Sequence, residues 1–404
     1  MSDYRFGIDL GTTNSAVARS NGVEIRSYQN NDQMNVTPSA VRILKSGRLF
    51  VGRKAHNAVV DDPENVATEF KRLMGQKVSK SFPASGRVMS PEGLSAEVLK
   101  SLKEDVRRQT GEEVRQAVIT VPAAFVTLQC EATSRAANLA GIDDTYLLQE
   151  PIAASVAYGV QPGAWGQHWL IFDLGGGTLD TAVVSTRNGR LTVLEHKGDN
   201  FLGGKDMDRL LVERLLLPAL EGQFELPDTG SHERVSLLRR LLTRAEEAKI
   251  DLSSSEQVVV TIVDVGTDRC GKQIEAEILL RRADLERVID PLVRACLQLA
   301  RDAVSGARVS CSDLDRVLLV GGPTQIPYVR AALADSLGAK LDFSIDPMTV
   351  VACGAAVFAA SVEWANSTIS ESRSVGEANL KLGYHRVSSG STALCRGSAD
   401  IRRW

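Results

Sequence analysis

The stretch Ile171–Val184, "IFDLGGGTLDTAVV", has a near-copy at Phe6–Ala18, "FGIDLGTTNSAVA". Each runs a short apolar segment into Asp-Leu-Gly, then a turn of Gly and Thr, then a second run in which apolar residues alternate. Such a pattern predicts a β-hairpin, because glycine supplies the backbone freedom a tight turn needs and period two belongs to a strand. Asp9 and Asp173 then occupy matching places, at the end of the first strand of each hairpin. Two copies of one unit in 404 residues predict a duplicated chain of two related lobes.

Working outward, "EEVRQAVITVPAAF" (Glu112–Phe125) is an apolar strand ended by Pro122, and "LQCEATSRAANLAGI" (Leu128–Ile142) is a helix with Gly141 as its stop signal. In the second half "LDRVLLVGGPTQIPYVRAALADSL" (Leu314–Leu337) is again strand, glycine turn and helix, and Val350–Ser361 is an apolar helix. This alternation predicts α/β lobes on mostly parallel sheet. Lobe I is expected at about 1–165 with an inserted subdomain at about 39–94, and lobe II at about 166–361 with another at about 206–284. The latter contains "HERVSLLRRLLTRAEEAKIDL" (His232–Leu252), with Val235, Leu238, Leu241, Leu242 and Ala245 at helical spacing.

A net charge of −3, from 47 basic and 50 acidic residues, provides no basic field for nucleic acid or an anionic membrane. The six cysteines are widely spaced with no C-x-x-C pair, which fits reduced thiols and neither a disulfide framework nor a zinc site. With no apolar leader and no run of 18 apolar residues, the expected setting is the cytoplasm.

Three glycine turns carry the first chemistry: Gly11-Thr12-Thr13, Gly175-Gly176-Gly177-Thr178 and Gly321-Gly322. Backbone N–H groups of such turns converge on one concavity and can cradle phosphate without a lysine. No G-x-x-x-x-G-K-[ST] occurs, and "GGGTLD" has Asp180 where a G-x-G-x-x-G fingerprint needs its last glycine, so neither rival phosphate motif is present. Asp9 and Asp173 would face one another across a cleft if the hairpins pair there, and two carboxylates suit Mg²⁺, which keeps waters and takes substrate phosphates. Asp180 and Glu150 are placed to add contacts to a metal or a water. Taken singly, each of these acids is better explained by a helix cap or a surface charge than as a metal ligand; only the constellation favours the metal.

The segments "GIDLGTTNS", "FKRLMG", "VITVPAAF", "QEPIAASVAYG", "IFDLGGGTLD", "GDNFLGGKDMD", "EEAKIDLSSS", "LLVGGPTQIP" and "DPMTVVACGAAV" follow the order found in the 70-kDa heat-shock chaperones, the DnaK family. From about Tyr4 to Ser361 the chain resembles that family's ATPase domain, and within the family it is most similar to the specialised bacterial HscC-type branch. The resemblance implies an actin-like, ribonuclease H-like duplicated α/β fold, two lobes of mixed sheet flanked by helices and closing on Mg-ATP. It implies phosphate contacts from Gly11, Thr12, Thr13 and Asn14, and cation handling (Mg²⁺ and K⁺) by Asp9, Asp173 and Asp180. It assigns Lys71 to the attacking water, with Glu150, Asp173 and Thr178 completing the hydrolytic site. Gly175, Gly176, Gly177, Gly203, Gly204, Gly321 and Gly322 would approach ATP or ADP through backbone, and Glu246, Lys249 and Ser253 would hold ribose and adenine. Without the resemblance, Lys71 is an exposed helix lysine and Glu246/Lys249 a surface ion pair.

Several positions depart from the family pattern. Gln325 stands where an arginine packs on adenine, Lys205 where a glutamate lies near ribose, and Met348 where an acid is usual; the first change removes a cation–π contact. Val126-Thr127 replaces an Asn-Asp pair, Cys130 an arginine that relays to the peptide domain, and Tyr146 an arginine that receives a J-domain co-chaperone, so that partner is doubtful while a GrpE-type exchange factor stays open. The stretch 362–404 has neither the apolar-acidic linker nor the hairpin series of a peptide clamp, and its composition predicts a disordered tail. The leading expectation is a Mg-ATP hydrolase that binds no peptide client by itself. A non-catalytic nucleotide-binding module is the alternative, and a sugar or acetate kinase on the same architecture is a third reading.

Overall fold

The computed structural model describes residues 5–159, 166–187, 190–362, 364, 381–383 and 396–398. Strand β1 (Arg5–Asp9) turns into β2 (Asn14–Ser20), and β3 (Ile25–Ser27) follows, each antiparallel to its predecessor. On the other side of β1, β4 (Gln116–Val121) and then β5 (Asp144–Gln149) add in parallel, giving the order β5-β4-β1-β2-β3. The second half repeats the arrangement. Strands β6 (Gln167–Leu174), β7 (Leu179–Arg187) and β8 (Arg190–Asp199) form the meander, while β9 (Leu314–Val320) and β10 (Leu341–Asp342) add in parallel, giving β8-β7-β6-β9-β10.

Both expected hairpins are present, and the duplication extends from the hairpins to whole sheets. The sheets are evenly mixed, however, and not mostly parallel. A short turn can only return a strand antiparallel, whereas each parallel neighbour needs a helical crossover. Duplicated mixed sheets with helices between them are the actin-like, ribonuclease H-like architecture.

Helices α1 (Pro91–Thr110) and α2 (Thr127–Leu139) cover the first sheet, whose core includes Ile8, Leu99, Ile119 and Ala136. Ser90 starts α1 by accepting from the Gly93 N–H, and Gly111, at φ 74°, ends it. Two further helices cross between the sheets. Helix α3 (Glu150–Ala157), from the first half, packs on the second sheet; α7 (Val350–Ser361), from the end of the second half, packs on β1 and β2. They touch at Gly354, where a Cβ would lie 1.7 Å from the Ala153 carbonyl oxygen, so only glycine fits.

Helices α4 (His232–Ser254), α5 (Arg282–Gly306) and α6 (Pro327–Leu337) close the second half. The buried stripe of α4 is Leu237, Leu241, Ala245, Ala248 and Leu252. Of the expected stripe, Leu241 and Ala245 belong to it, whereas Leu238 and Leu242 only flank the core and Val235 is exposed. With arginines at 239 and 240 and leucines on both sides, hydrophobic spacing alone does not choose between adjacent faces.

Between β3 and α1 lie a three-stranded sheet (Leu49–Val51, Ala40–Ile43, Val66–Thr68) and a hairpin (Lys80–Phe82 with Arg87–Met89). The hairpin Gln257–Ile262 with Ala276–Arg281 sits beside α4. Of 362–404, the described residues are Val362, Trp364 and an antiparallel pair, Lys381–Gly383 with Arg396–Ser398. The expectation of disorder there otherwise falls outside the described residues. Among the described residues no helix is long and apolar enough to cross a membrane, and the five cysteines are free thiols.

Candidate active site

The carboxyl ends of β1, β6 and β9 meet at a cavity of about 580 Å³ between the two sheets. Gly11–Asn14, the turn from Gly175 to Thr178, and Gly321–Gly322 contribute to its wall. In the first turn the Gly11 N–H donates to Ser15 Oγ at 3.1 Å, and Ser39 Oγ donates to the Gly11 carbonyl at 2.8 Å. In the second the Gly175 N–H donates to the Thr178 carbonyl at 2.9 Å. Gly321 has φ 86°, and a Cβ there would lie 2.1 Å from the Leu174 carbonyl oxygen. That position excludes any side chain on both counts.

Strand register brings the acids together. Asp173 and Asp180 are direct cross-strand partners in the second hairpin, where the first hairpin has Asp9 opposite Ala16. Asp9 Oδ1 accepts from Thr120 Oγ1 on β4 at 2.9 Å. Burial, and then the Glu150 charge, pushes the Asp9 carboxyl up to about 6 and that of Asp180 up to about 7. Asp173 is driven well above the ordinary carboxylate value by burial first and then by Glu150, Asp180 and Asp9. In all three Lys71 acts in the opposite direction.

Lys71 sits on the 3₁₀ turn Phe70–Leu73, which the chain enters through Glu69 in a left-handed conformation, φ 56° and ψ 16°. That turn tips the lysine inward. Its Nζ donates to Glu150 Oε1 at 2.8 Å and lies 5.6 Å from the centre of the Phe125 ring. The resulting donor set is all oxygen and carries more negative charge than the ammonium offsets, which fits a hard cation such as Mg²⁺ or K⁺. Among the described residues no three His, Cys, Asp or Glu side chains gather closely enough to cage a metal. Any cation there takes much of its coordination from water and phosphate oxygen, as Mg²⁺ commonly does.

Of the residues singled out in the sequence, Asp9, Gly11, Thr12, Thr13, Asn14, Lys71 and Glu150 line the cavity from the first half. Asp173, Gly175, Gly176, Thr178, Asp180, Gly321 and Gly322 line it from the second. Gly177, Gly203, Gly204, Glu246, Lys249 and Ser253 do not line it. Gly203 and Gly204 support the second turn from behind: the Gly204 N–H donates to the Gly175 carbonyl at 3.0 Å, and the Lys205 N–H to that of Gly176 at 2.7 Å. Lys249 is buried, paired with Asp208 at 2.6 Å and donating to the Gly204 carbonyl at 3.0 Å. Ser253 Oγ donates back to the Lys249 carbonyl at 3.1 Å.

Sequence reasoning missed Arg72, Phe125, Gln129, Asn200 and Phe201, all on the cavity wall. Arg72, Phe125, Asn200 and Phe201 lie inside three of the quoted motifs, and proximity to Lys71, Pro122 and Gly203 was their only signal. Met348 lines the cavity, whereas Gln325 is exposed at the end of the 3₁₀ turn Gly322–Gln325.

Comparison with known proteins agrees with this architecture. The family model described as Hsp70 protein matches residues 5–370. The chaperone protein DnaK of Mycoplasmopsis agalactiae is 38% identical over 351 residues, which is 87% of this chain and 57% of that protein. The DnaK of Mycoplasmopsis pulmonis gives the same figures, and that of Elusimicrobium minutum is 36% identical over 359 residues, 87% of this chain and 56% of that protein. The chain thus spans somewhat more than half the length of these curated relatives. By family model and by relatives alike, the chain belongs to the Hsp70 family.

Proposed function

We propose that the cleft binds Mg-ATP and slowly hydrolyses it to ADP and phosphate, as a chaperone-type ATPase. The observation that carries this reading is the buried Lys71–Glu150 pair, set before Asp9, Asp173 and Asp180 where three glycine turns meet. Phosphoryl transfer asks mainly for positioning and charge neutralisation, and that arrangement offers both.

Backbone amides of Gly11–Asn14 and Gly175–Gly177, with the hydroxyls of Thr12, Thr13 and Thr178, hold phosphate oxygens. The carboxylates of Asp9, Asp173 and Asp180 hold Mg²⁺ and K⁺. When bound, the divalent ion neutralises phosphate charge and orients the terminal phosphoryl group. Lys71 presents an N–H to the attacking water and the terminal phosphate, and Glu150 accepts from that water. The water oxygen bonds to the γ-phosphorus as the bond to the β-phosphate oxygen breaks, leaving inorganic phosphate and ADP. Gly321 and Gly322 face the nucleotide from the cavity wall. Gly203, Gly204 and Lys249 act on ribose and adenine indirectly, by holding the second turn through the Gly204 backbone, with Glu246 and Ser253 on the same helix as Lys249.

A GrpE-type exchange factor and a cytoplasmic setting go with this reading. Docking of a J-domain is disfavoured, since Tyr146 carries no charge and packs edge-on against Trp364. The test is phosphate release from ATP with Mg²⁺ and K⁺ and no acceptor, wild type beside Lys71→Ala. We expect turnover that falls about a hundred- to a thousandfold in the variant. ATP bound but uncleaved by both proteins would mean a non-catalytic module, and release only with an added acceptor would mean a kinase.

A further inference from the structure

Away from the reacting groups, side chains tie the two halves of the cleft together. Glu69, in the first half, pairs closely with Lys205 Nζ in the second. Arg72 pairs with Glu69 at 3.1 Å, and its Nη2 donates to the Gly177 carbonyl oxygen at 2.7 Å. Its guanidinium lies 5.7 Å from the centre of the Phe201 ring, which is itself exposed at the rim of the cavity. The three charged side chains are shielded, at 28% exposure for Glu69, 35% for Lys205 and 25% for Arg72.

Glu69 also holds the left-handed backbone that tips Lys71 inward, a conformation a non-glycine residue keeps only when its neighbours enforce it. Burial acts to raise its carboxyl, but Lys205, Arg72 and Arg209 outweigh burial and hold it below the ordinary value. On its other side Lys205 is within electrostatic reach of His56 and Asp208. A second, more exposed link, Arg240 to Asp61 at 2.7 Å, joins the same two halves farther out.

We infer that Glu69 and Lys205 form a clasp across the mouth of the cleft, which with Arg72 holds the Gly175–Thr178 turn against the first half and slows release of bound nucleotide. The clasp must break whenever the halves separate, so its strength falls directly on the rate of opening. Its effect on nucleotide release rests on the proposed ATP site; the clasp itself does not.

The test uses the full chain carrying Glu69→Gln, Lys205→Met, or both. Chasing a fluorescent ADP with excess ADP should show release about three- to tenfold faster in each single variant. The double variant should be no faster than the faster single one, because both changes break one interaction. Amide hydrogen exchange without nucleotide reads the clasp independently: Gly175–Thr178 should exchange faster in both single variants and no faster in the double. Exchange that is additive or unchanged from wild type overturns the clasp. If labelled ADP binds none of the proteins while exchange behaves as expected, the nucleotide reading fails and the clasp stands.

Discussion

Lys71 Nζ donates to Glu150 Oε1 across 2.8 Å, with the two side chains 4% and 13% exposed. A pair this buried is held in place less by its own attraction than by the cost of leaving either charge alone. Here that cost is spread over Asp9, Asp173 and Asp180, whose carboxyls Lys71 pulls down against burial and mutual repulsion.

Lys71→Met should therefore destabilise the protein in a pH-dependent way. Carboxyls raised to about 6 in Asp9 and about 7 in Asp180 prefer their protons in the folded state. Their contribution is most favourable below the unfolded value near 3.8 and is lost as pH rises through the raised values. Removing Lys71 pushes them higher still, so the deficit should be small near pH 5 and reach about 3–5 kcal/mol by pH 8. Urea unfolding in a chelator measures it, and a deficit independent of pH would show that the loss is packing alone. Mg²⁺ should raise the melting temperature of the wild type more at pH 8 than at pH 5.5, because protons and cation compete for the same oxygens.

A second buried acid, remote from the cleft, gives a cleaner pH signal. Asp105 on α1 is buried; Oδ1 accepts from Arg108 Nη2 at 2.9 Å, but Oδ2 has no hydrogen-bond partner among the described residues. Burial pushes its carboxyl up to about 6 against the pull of Arg108. Asp105→Asn should leave stability unchanged near pH 4 and raise it above pH 6, by about 1–3 kcal/mol at pH 8. Denaturation midpoints across that range decide it; a loss at pH 8 would mean the Arg108 bond outweighs the desolvated charge.

The legible part of this molecule is the part written in local pattern. Period-two runs and glycine turns gave both hairpins, and the position of Asp9 and Asp173 followed from them. What brings Asp180 beside Asp173 is strand register, which the repeated motif contains only implicitly, since the first hairpin has Ala16 in the equivalent place. Lys71 was beyond local reading altogether: its burial depends on a left-handed Glu69, and nothing in "TEFKRL" announces a positive φ at glutamate. The Lys249–Asp208 pair was missed for another reason. Its partners come from elements far apart in the chain, and the nearer Glu246 at helical spacing was the more visible candidate.

The crossing of α3 and α7 makes a steric prediction. Helix α7 lies against the first sheet and α3 together, and Gly354 has no space for a β-carbon beside the Ala153 carbonyl. Gly354→Ala must push two backbones apart in a close-packed region, at a cost of about 1–3 kcal/mol or more. The helix propensity gained by the alanine, about 1 kcal/mol, acts in the other direction. A net rise in the urea midpoint would mean that the helices separate freely, contrary to their packing here.

Trp364 lies three residues beyond the end of α7, yet it is as buried as the core. Its ring meets Tyr146 of β5 edge-on at 5.0 Å between centres, and its Nε1 donates to the Ala359 carbonyl at 3.1 Å. The indole thus pins the chain after α7 to the strand that leads into Glu150. Trp364→Ala should open a cavity against Tyr146 and cost about 3–5 kcal/mol. Trp364→Phe keeps an aromatic ring but loses the hydrogen bond, and should cost about 1–3 kcal/mol because the Ala359 carbonyl loses a buried partner. Urea unfolding of both variants separates the two contributions. Equal midpoints for Ala and Phe would assign the contact to the hydrogen bond alone, and midpoints equal to the wild type would mean that the ring contributes nothing to holding the chain on β5.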